Sequence, residues 1–476
     1  MKNIIAISAL AAFFLVPYLS ISQIVNIEKT GTGSEYVIGT YDANNPEITD
    51  TEYLSIEKRC AKNFNLLGLD KNEKNIQSVS LSWPVRAAAG FTDCGYYAIS
   101  AHVDQNIATG VFQDYNCGTV SYDGHKGTDI FTWPFSFYKM DNSQVEIIAA
   151  APGIILDKAD GNFDRNCASN TLPANYVIIQ HSDGTRALYW HMKSGSVTTK
   201  AIGQTVVVGE YLGVIGSSGS SSGPHLHFEV WTGATSSTYN DPFSGTCNTL
   251  NANSWWAVQK QYAEPGILKA SVHITDVTFP GCPTTETTNE STTYTIPFQG
   301  PGLAPDYAKF YLFMRNIPVG ATVDLKILNP NSTIFNSWTY SPTALYKTSY
   351  WGWSKHLPAT PGNYTFQATY NGLTCSQVFT MVAASSIYDN LNSDKICVSP
   401  NPAKDILNIV ISDLKNGKCK YILNNILGKE IYRENILIES NIVQKEINIS
   451  EFSNGIYFLT IDNDNIRIVK KILIQK

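Results

Sequence analysis

The chain has 476 residues and a formal net charge of −6, with 43% hydrophobic, 12% aromatic and only 16% charged residues. This length exceeds one ordinary domain and predicts about three folded units. The mildly acidic balance excludes a dedicated nucleic-acid-binding protein, which would carry a basic surplus, and sparse charge with many aromatic residues favours β-rich extracellular protein.

The N-terminus has the order of a secretory signal peptide. Lys2 precedes an apolar run from Ile4 to about Leu19, which small and polar residues follow. A positive start, a short apolar stretch and a small-residue exit predict a signal peptide over residues 1–23, with a membrane anchor as the alternative. No later stretch reaches the length of a spanning helix, so we expect a mature chain without a transmembrane segment.

Residues 24–80 form an N-terminal extension or pro-segment of polar, mixed sequence. Apolar residues recur every three or four positions from Asp50 to Leu67, which predicts one helix. Nothing in this segment suggests a catalytic or metal-binding role.

From residue 81 to 262 the sequence consists of short β-rich runs separated by Gly, Asn and Asp. The run 145–153 predicts a strand that enters a turn, and 176–181 and 186–191 predict two strands joined by the tight Asp183-Gly184 turn. These patterns predict an antiparallel β domain with glycine-marked corners.

The run from Pro224 to Trp231 alternates polar with large apolar side chains. In a strand, His225, His227 and Glu229 therefore share one face, and the apolar residues between them face a core. A purely structural strand has little reason to place two imidazoles side by side, so this strand is a candidate for function.

Further histidines of the same domain supply partners for this pair. His125 and Asp129 lie four residues apart in a glycine-flanked stretch that predicts a loop entering a strand. A catalytic zinc takes three N or O ligands and keeps a fourth position for water, whose pKa it lowers. His125, Asp129 and either His225 or His227 would provide the ligands. The other histidine of the pair, with His191, would move protons or stabilise an oxyanion.

The C-terminal half predicts two more β units. Residues 268–385 are strand-rich, with turn signals about every ten residues, which is typical of an immunoglobulin-like β-sandwich. Its role is either substrate binding or spacing. A polar linker follows, and residues 395–476 predict a small β-sandwich.

The nine cysteines all follow the predicted signal peptide, and none forms a Cys-x-x-Cys pair. This argues against a cysteine-based zinc site and favours disulfides in an oxidising compartment. We expect Cys94 to pair with Cys117, and Cys282 with Cys375, because each pair brackets one domain segment. The odd count leaves a thiol unpaired. Cys60 is the candidate, as a structural or free thiol or, as the less favoured alternative, as a metal cap in a latent precursor.

Four motifs of the β domain lie at residues 124–129, 150–153, 189–192 and 223–229. By these motifs, the segment from about residue 82 to 256 resembles the lysostaphin/LytM-type zinc metallopeptidases, the family that includes the beta-lytic metallopeptidases. The resemblance implies hydrolysis of peptide bonds, typically glycine-rich ones in bacterial cell-wall cross-bridges, with elastin as a further substrate of some secreted members.

By the same resemblance, His125, Asp129 and His227 bind one Zn²⁺ per catalytic domain, and His191 and His225 are the catalytic pair. Glu229 becomes a hydrogen-bond partner that orients a ligand.

Three motifs of the C-terminal unit lie at residues 399–403, 424–430 and 454–457, before a lysine-rich end. By these motifs, residues 396–476 resemble the sorting domains that direct proteins to the type IX secretion system of Bacteroidetes. The resemblance implies passage across the outer membrane, then release or attachment to the cell surface with this domain removed. A generic small β-sandwich is the alternative.

Together these observations predict an all-β, secreted zinc endopeptidase that uses metal-activated water. The alternative is a non-catalytic module of the same fold that binds cell-wall peptides or activates another hydrolase. Degenerate relatives of that kind lose ligands, whereas all five positions are filled here. The expected partners are a peptide or protein substrate and the type IX secretion machinery, with no nucleic acid.

Overall fold

A computed structural model describes residues 31–36, 46–69, 79–383, 396–412, 417–438, 442–463 and 466–476. The predicted signal peptide lies outside these ranges. The chain divides into two compact units, one of residues 1–294 and 298–381, the other of residues 295–297 and 382–476. Within the described residues, no helix is both long and apolar enough to cross a membrane.

The N-terminal segment contributes a strand and a helix, β1 (Thr32–Glu35) and α1 (Asp50–Leu66). The helix agrees with the predicted span. It begins with a capping box, in which Thr49 and Glu52 each accept a hydrogen bond from the other's backbone N–H. Its buried face carries Tyr53, Ile56 and Cys60, which pack on the strands of the following domain.

The next region contains mainly short strands: β2 (Val85–Ala87), β3 (Tyr97–Ala101), β4 (Thr128–Thr132), α2 (Ser136–Asp141), β5 (Val145–Ile148), β6 (Gly153–Ala159), β7 (Tyr176–Gln180), β8 (Arg186–Trp190), β9 (Thr205–Val206), β10 (Tyr211–Val214), β11 (His225–Trp231) and β12 (Tyr239–Asn240). The main sheet has the order β3-β4-β11-β8-β7-β6-β9, with β12 paired to β11, and a smaller sheet has the order β10-β5-β2. Both sheets contribute to one core.

The central strand β11 is buried at all seven positions. Its apolar face, which includes Leu226, Phe228 and Val230, lies in the core between the sheets. Its other face lies under α1, where Tyr53 packs near Trp231 with ring centroids 6.1 Å apart. The predicted alternation of faces is therefore correct, but the N-terminal helix covers the polar face.

The following strands are β13 (Gly266–His273), β14 (Thr293–Ile296), β15 (Tyr307–Arg315), β16 (Val323–Leu328), β17 (Ile334–Tyr340), β18 (Thr348–His356), β19 (Gly362–Tyr370) and β20 (Leu373–Ala383). They form sheets of order β1-β18-β15-β13 and β14-β20-β19-β16-β17. The sheets meet through aromatic contacts such as Phe310 with Phe366, whose centroids are 5.1 Å apart. This is the predicted immunoglobulin-like sandwich, and the strand β1 that the N-terminal segment adds to it was not predicted.

The expected disulfide pairings are wrong. Within the described residues, the bonds join Cys94 to Cys375, Cys117 to Cys247, and Cys167 to Cys282. The expectation assumed that each bridge closes within one domain. The sandwich instead packs on the β domain, as Leu268 and Phe313 share a core cluster with Ala98 and Trp133, so two of the bonds cross between the domains.

Cys60 is free and buried, as is Cys419. Cys60 belongs to the apolar cluster between α1 and β6 to β8, where burial raises its pKa to about 12. It is absent from the clusters of metal-binding side chains found among the described residues. The reading of Cys60 as a metal cap is therefore wrong, because its face of α1 packs into a core.

The second unit contains β21 (Ile396–Ser399), β22 (Ile406–Ser412), β23 (Gly417–Asn425), β24 (Glu430–Ile438), β25 (Ile442–Asn448), β26 (Gly455–Asn463) and β27 (Ile466–Ile474). Its sheets have the orders β21-β22-β25 and β24-β23-β26-β27. Leu407 and Ile409 of one sheet share a core with Tyr421 and Leu459 of the other. The predicted small β-sandwich is thus present, and the all-β fold class is confirmed.

Candidate metal centre

Two adjacent strands bring the predicted ligands together. β4 and β11 pair antiparallel with Asp129 opposite His227, so their side chains meet across the ladder. His125 enters from the loop before β4, where Gly124 has a φ of 75°. His125 Nε2 lies 3.1 Å from Asp129 Oδ1, His227 Nδ1 lies 2.9 Å from the same oxygen, and the two nitrogens are 3.1 Å apart. All three side chains are buried.

The hydrogen bonds on the far side of each imidazole decide which atoms face the centre. His125 Nδ1 lies 2.7 Å from the carbonyl oxygen of His102, which can only accept, so Nδ1 carries the proton. His227 Nε2 likewise lies 2.8 Å from the Glu229 carboxylate. When both rings are neutral, His125 Nε2 and His227 Nδ1 therefore turn lone pairs toward Asp129 Oδ1. None of these three atoms then carries a hydrogen that it could donate to another.

A cation at this point, either a proton on His227 or a metal ion, resolves this arrangement. Tetrahedral zinc with bonds of about 2.0–2.1 Å holds its ligand atoms about 3.3 Å apart, which is close to the observed separations of 2.9–3.1 Å. The donor set, two imidazoles and one carboxylate, also suits zinc. The residues present therefore fit the metal that the sequence predicts.

The electrostatics of the centre also favour positive charge. Burial alone lowers the pKa of His227, but hydrogen bonds with Asp129, Glu229 and Glu47 raise it well above its ordinary value. In His225 the charge of Glu47 overcomes the effect of burial and raises the pKa to about 9. Carboxylates that hold a proton on an imidazole this firmly also favour a divalent cation, which displaces that proton on binding.

Glu229 holds His227 in position from behind. Besides accepting from His227 Nε2, its carboxylate accepts from Trp231 Nε1 at 2.7 Å and from the hydroxyl of Tyr53. A carboxylate with three donors keeps the imidazole in one tautomer and orientation. The sequence predicted Glu229 on this face and in this capacity.

His191 and His225 stand beside the ligands as a pair, with ring centroids 4.5 Å apart. His191 directly follows β8 and has a φ of 66°, an uncommon conformation for a residue with a side chain. Nδ1 of His191 lies 2.6 Å from the carbonyl of Ser218, and Nδ1 of His225 lies 2.8 Å from that of Gly223. Both protons therefore reside on Nδ1 in the neutral rings, and both Nε2 atoms face the space next to the ligands.

Glu47, which sequence reasoning missed, occupies this space. Its carboxylate lies 2.8 Å from His227 Nδ1, 3.2 Å from His225 Nε2 and 3.5 Å from His191 Nε2. It belongs to both groups of side chains that are close enough together to hold a metal ion, one with His125, Asp129 and His227, the other with His191 and His225. The expectation that the N-terminal segment carries no chemistry is therefore wrong. A single carboxylate ahead of a helix has no distinguishing pattern, so no sequence signal marks it.

The helix behind Glu47 fixes it there. Arg59 of α1 donates to Asp157 at 3.0 Å and to the Tyr176 hydroxyl at 2.7 Å, and Tyr53 donates to Glu229 beneath the centre. The burial of α1 on the sheet thus carries the carboxylate into the site. Burial would raise the pKa of Glu47, but the charge of His225 and hydrogen bonds from the histidines hold it well below its ordinary value, so it is ionised.

A cavity of about 220 Å³ opens beside the centre. Asp129 and His225 of the β domain line it. Lys347 and Thr348 of the immunoglobulin-like sandwich also line it, together with Glu35 and Tyr36. The walls of the cavity therefore come from both domains of the first unit and from the N-terminal segment.

Comparisons with known proteins give two family matches: residues 123–241 match peptidase family M23, and residues 398–475 match the secretion system C-terminal sorting domain. An uncharacterized metalloprotease of Buchnera aphidicola is 31% identical over 117 residues, which are 25% of this chain and 26% of that protein. The DD-carboxypeptidase/endopeptidase Mpg of Neisseria meningitidis is 46% identical over 56 residues, 12% of each chain. This chain thus spans about a quarter or less of the length of these curated relatives. The catalytic domain of lysostaphin from Staphylococcus simulans aligns at 24% identity with a TM-score of 0.19, over 25% of this chain and 76% of that domain.

Proposed function

We propose that the chain is a zinc-dependent endopeptidase, because residues 123–241 match peptidase family M23. The C-terminal sorting domain directs it through type IX secretion to the cell surface or the extracellular space. The observation that carries the proposal is the convergence of lone pairs from His125, Asp129 and His227 on one point. These three residues would hold Zn²⁺, with His191 and His225 beside it.

Zinc bound there supplies a Lewis acid and a water of lowered pKa at neutral pH. The residues of the chain supply the rest. His191 and His225 each keep a proton on Nδ1 through a carbonyl, which leaves Nε2 to accept a proton from the attacking water and to return it to the leaving amine. In the protonated state the same nitrogens donate to the developing oxyanion. Glu229 keeps His227 oriented throughout.

We also propose that residues 24–80 act as an inhibitory pro-segment. Glu47 lies between the ligands and the histidine pair, which is the space that the attacking water and the substrate carbonyl require. The described chain is therefore a latent form, and activity requires that Glu47 leave.

The proposed substrates are glycine-rich peptides, as in peptidoglycan cross-bridges or elastin-like proteins. A curated relative is a peptidoglycan DD-endopeptidase of Vibrio cholerae, 38% identical over 60 residues, which supports a cell-wall peptide. The rival proposal, a non-catalytic module that binds such peptides, is less well supported, because all five residues lie together with ligand geometry.

Metal content and two variants test the proposal. We expect near-stoichiometric zinc in the purified protein, freed of its N-terminal segment by limited proteolysis. His227→Ala should abolish both zinc binding and hydrolysis, whereas His225→Ala should keep the zinc and lose rate. His356→Ala is the control, because this exposed histidine lies in the sandwich. A protein without zinc contradicts the enzyme assignment, and loss of zinc in His225→Ala reverses the assignment within the pair.

The substrate is identified by the products. The processed protein is incubated with purified peptidoglycan and, separately, with elastin, and the new N-termini are sequenced. New termini after or before glycine in either material support the proposal, and their absence from both contradicts the substrate class.

A further inference from the structure

The strand β1 comes from the N-terminal segment but pairs with the outer edge of β18 in the sandwich. Its register places Thr32 opposite Gly352 and Ser34 opposite Tyr350, and the pairing ends where the N–H of Tyr36 donates to the Thr348 carbonyl at 3.0 Å. All four residues of β1 are exposed. Two of its side chains make long hydrogen bonds, Ser34 with the Tyr350 hydroxyl at 3.4 Å and Glu35 with the Lys347 N–H at 3.3 Å. The main-chain ladder is the remaining attachment, and another extended peptide offers the same main-chain bonds.

The edge accepts glycine at two alternate positions. A Cβ added to Gly33 would stand 2.0 Å from the Tyr350 carbonyl oxygen and 2.8 Å from the Cα of Trp351, and one added to Gly31 would stand 2.6 Å from the indole nitrogen of Trp353. The contacts at Gly33 are with backbone, which cannot turn aside as a side chain does. Thr32, between the glycines, is exposed. The edge therefore selects a Gly-x-Gly pattern in which the middle residue is free.

Beyond the glycines, the strand leads toward the metal centre. The ring of Tyr36 stacks on Trp133 of the β domain, with centroids 4.3 Å apart, and also contacts Phe279 of the sandwich at 5.0 Å. Tyr36 and Thr348 then line the same cavity as His225. Three features therefore follow one another along the chain of contacts from β1. The edge of β18 comes first, the aromatic contact of Tyr36 with both domains comes second, and the cavity at the metal centre comes third.

We propose that the edge of β18 is a substrate-binding site, which takes an extended peptide with glycine at alternate positions by strand addition and directs it to the metal centre. This inference rests on the proposed endopeptidase function and adds to it a site on the sandwich. An uncovered sheet edge exposes N–H and C=O groups that pair with an added strand. In the latent chain, β1 is the occupant, and a glycine-containing peptide replaces it once the segment has left.

The test uses the full-length chain and measures binding instead of hydrolysis. Gly33→Val should drive β1 from the edge, because its Cβ would meet the backbone of β18. Thr32→Val is the matched control, an isosteric change at an exposed position of the same strand. Hydrogen exchange over residues 348–353 reports whether the edge has opened, and thermal unfolding checks that both variants are folded.

The probe is a fluorescein-labelled peptide with the sequence of residues 31–36, and the control peptide has valine in place of its second glycine. Anisotropy is read with a chelator present, so that a failure of the proposed catalysis cannot affect the result. We expect the Gly33→Val chain to bind the glycine peptide at least about tenfold more tightly than the valine peptide, and more tightly than the Thr32→Val chain does. Equal binding of both peptides, or no binding to an edge that exchange shows to be open, overturns the proposal. Unchanged exchange in Gly33→Val overturns the glycine requirement and the proposal with it.

Discussion

Replacing Glu47 by alanine should activate the full-length chain without proteolysis. The substitution removes the carboxylate that lies 2.8 Å from His227 and 3.2 Å from His225. It leaves the anchors of α1 in place, among them the bond from Arg59 to Asp157. The helix should therefore stay docked while the space between the ligands and the histidine pair opens.

The size of the effect follows from the contacts that are lost. A hydrogen bond to a charged group contributes about 1.5–3 kcal/mol, and Glu47 faces three imidazoles. In the unmodified chain, hydrogen bonding of this strength lowers the fraction of molecules with an open site about 10- to 150-fold, since each 1.4 kcal/mol corresponds to a factor of ten. Removal of the carboxylate should raise activity by up to that factor. Glu47→Gln keeps the length of the side chain but loses its charge, so we expect an intermediate rise.

The assay is hydrolysis of a quenched glycine-containing peptide by the intact chain, with mass spectrometry to confirm that the N-terminal segment remains attached. Asp50→Asn is the matched control, because Asp50 is a nearby exposed carboxylate that lies outside both metal-binding clusters. Its activity should equal that of the unmodified chain. If Glu47→Ala keeps its zinc but is no more active than Asp50→Asn, the carboxylate does not enforce latency and the reasoning fails.

Three further predictions concern the metal and the disulfides. Glu229→Gln should weaken zinc binding about 10- to 100-fold, because the group that orients His227 loses its charge. Competition with a chelating dye measures the affinity, and an unchanged affinity would show that other residues orient His227. Chelation of the full-length chain should lower Tm by roughly 5–10 °C, since a ligand at 100 times its Kd stabilises by about 2.7 kcal/mol, and His227→Ala should show no such shift. Replacing Cys94 and Cys375 together by serine should lower the free energy of unfolding, measured in urea, by about 2–5 kcal/mol, because the disulfide joins residues 281 positions apart in sequence. A decrease below about 1 kcal/mol would contradict the expected contribution of this disulfide.

Local sequence patterns were sufficient to predict which histidines and which aspartate the structure brings together at the candidate metal centre. The alternation along β11 identified the face that carries His225 and His227, and the glycines around His125 indicated a loop entering a strand. The pairing of β4 with β11, which sets Asp129 opposite His227, is a tertiary contact that the sequence did not show; the residue types indicated only that these side chains could share a metal. The division of roles between His225 and His227 came from family resemblance, and no spacing argument could have supplied it.

Glu47, β1 and the disulfides could not be predicted, because each depends on contacts between residues distant in sequence. Glu47 reaches the centre only because α1 docks on β11, about 180 residues further along the chain. The expected disulfide pairings were wrong because the sequence indicates where each domain begins and ends but not which surfaces of two domains pack together. Cys94 pairs with Cys375 across an interface that no local pattern marks.

That interface bears on the question of whether the sandwich is a spacer. The proposed strand site lies on β18 of the sandwich, whereas the ligands lie in the β domain, so one peptide can engage both only if their spacing is fixed. The shared aromatic cluster around Trp133 and Phe313 and two disulfides between the domains, Cys94–Cys375 and Cys167–Cys282, supply that constraint. A spacer needs no such attachment. The N-terminal segment contacts both parts at once, with β1 on the edge and Glu47 at the centre. A substrate bound as we propose would make the same two contacts, with the sandwich as one wall of its groove.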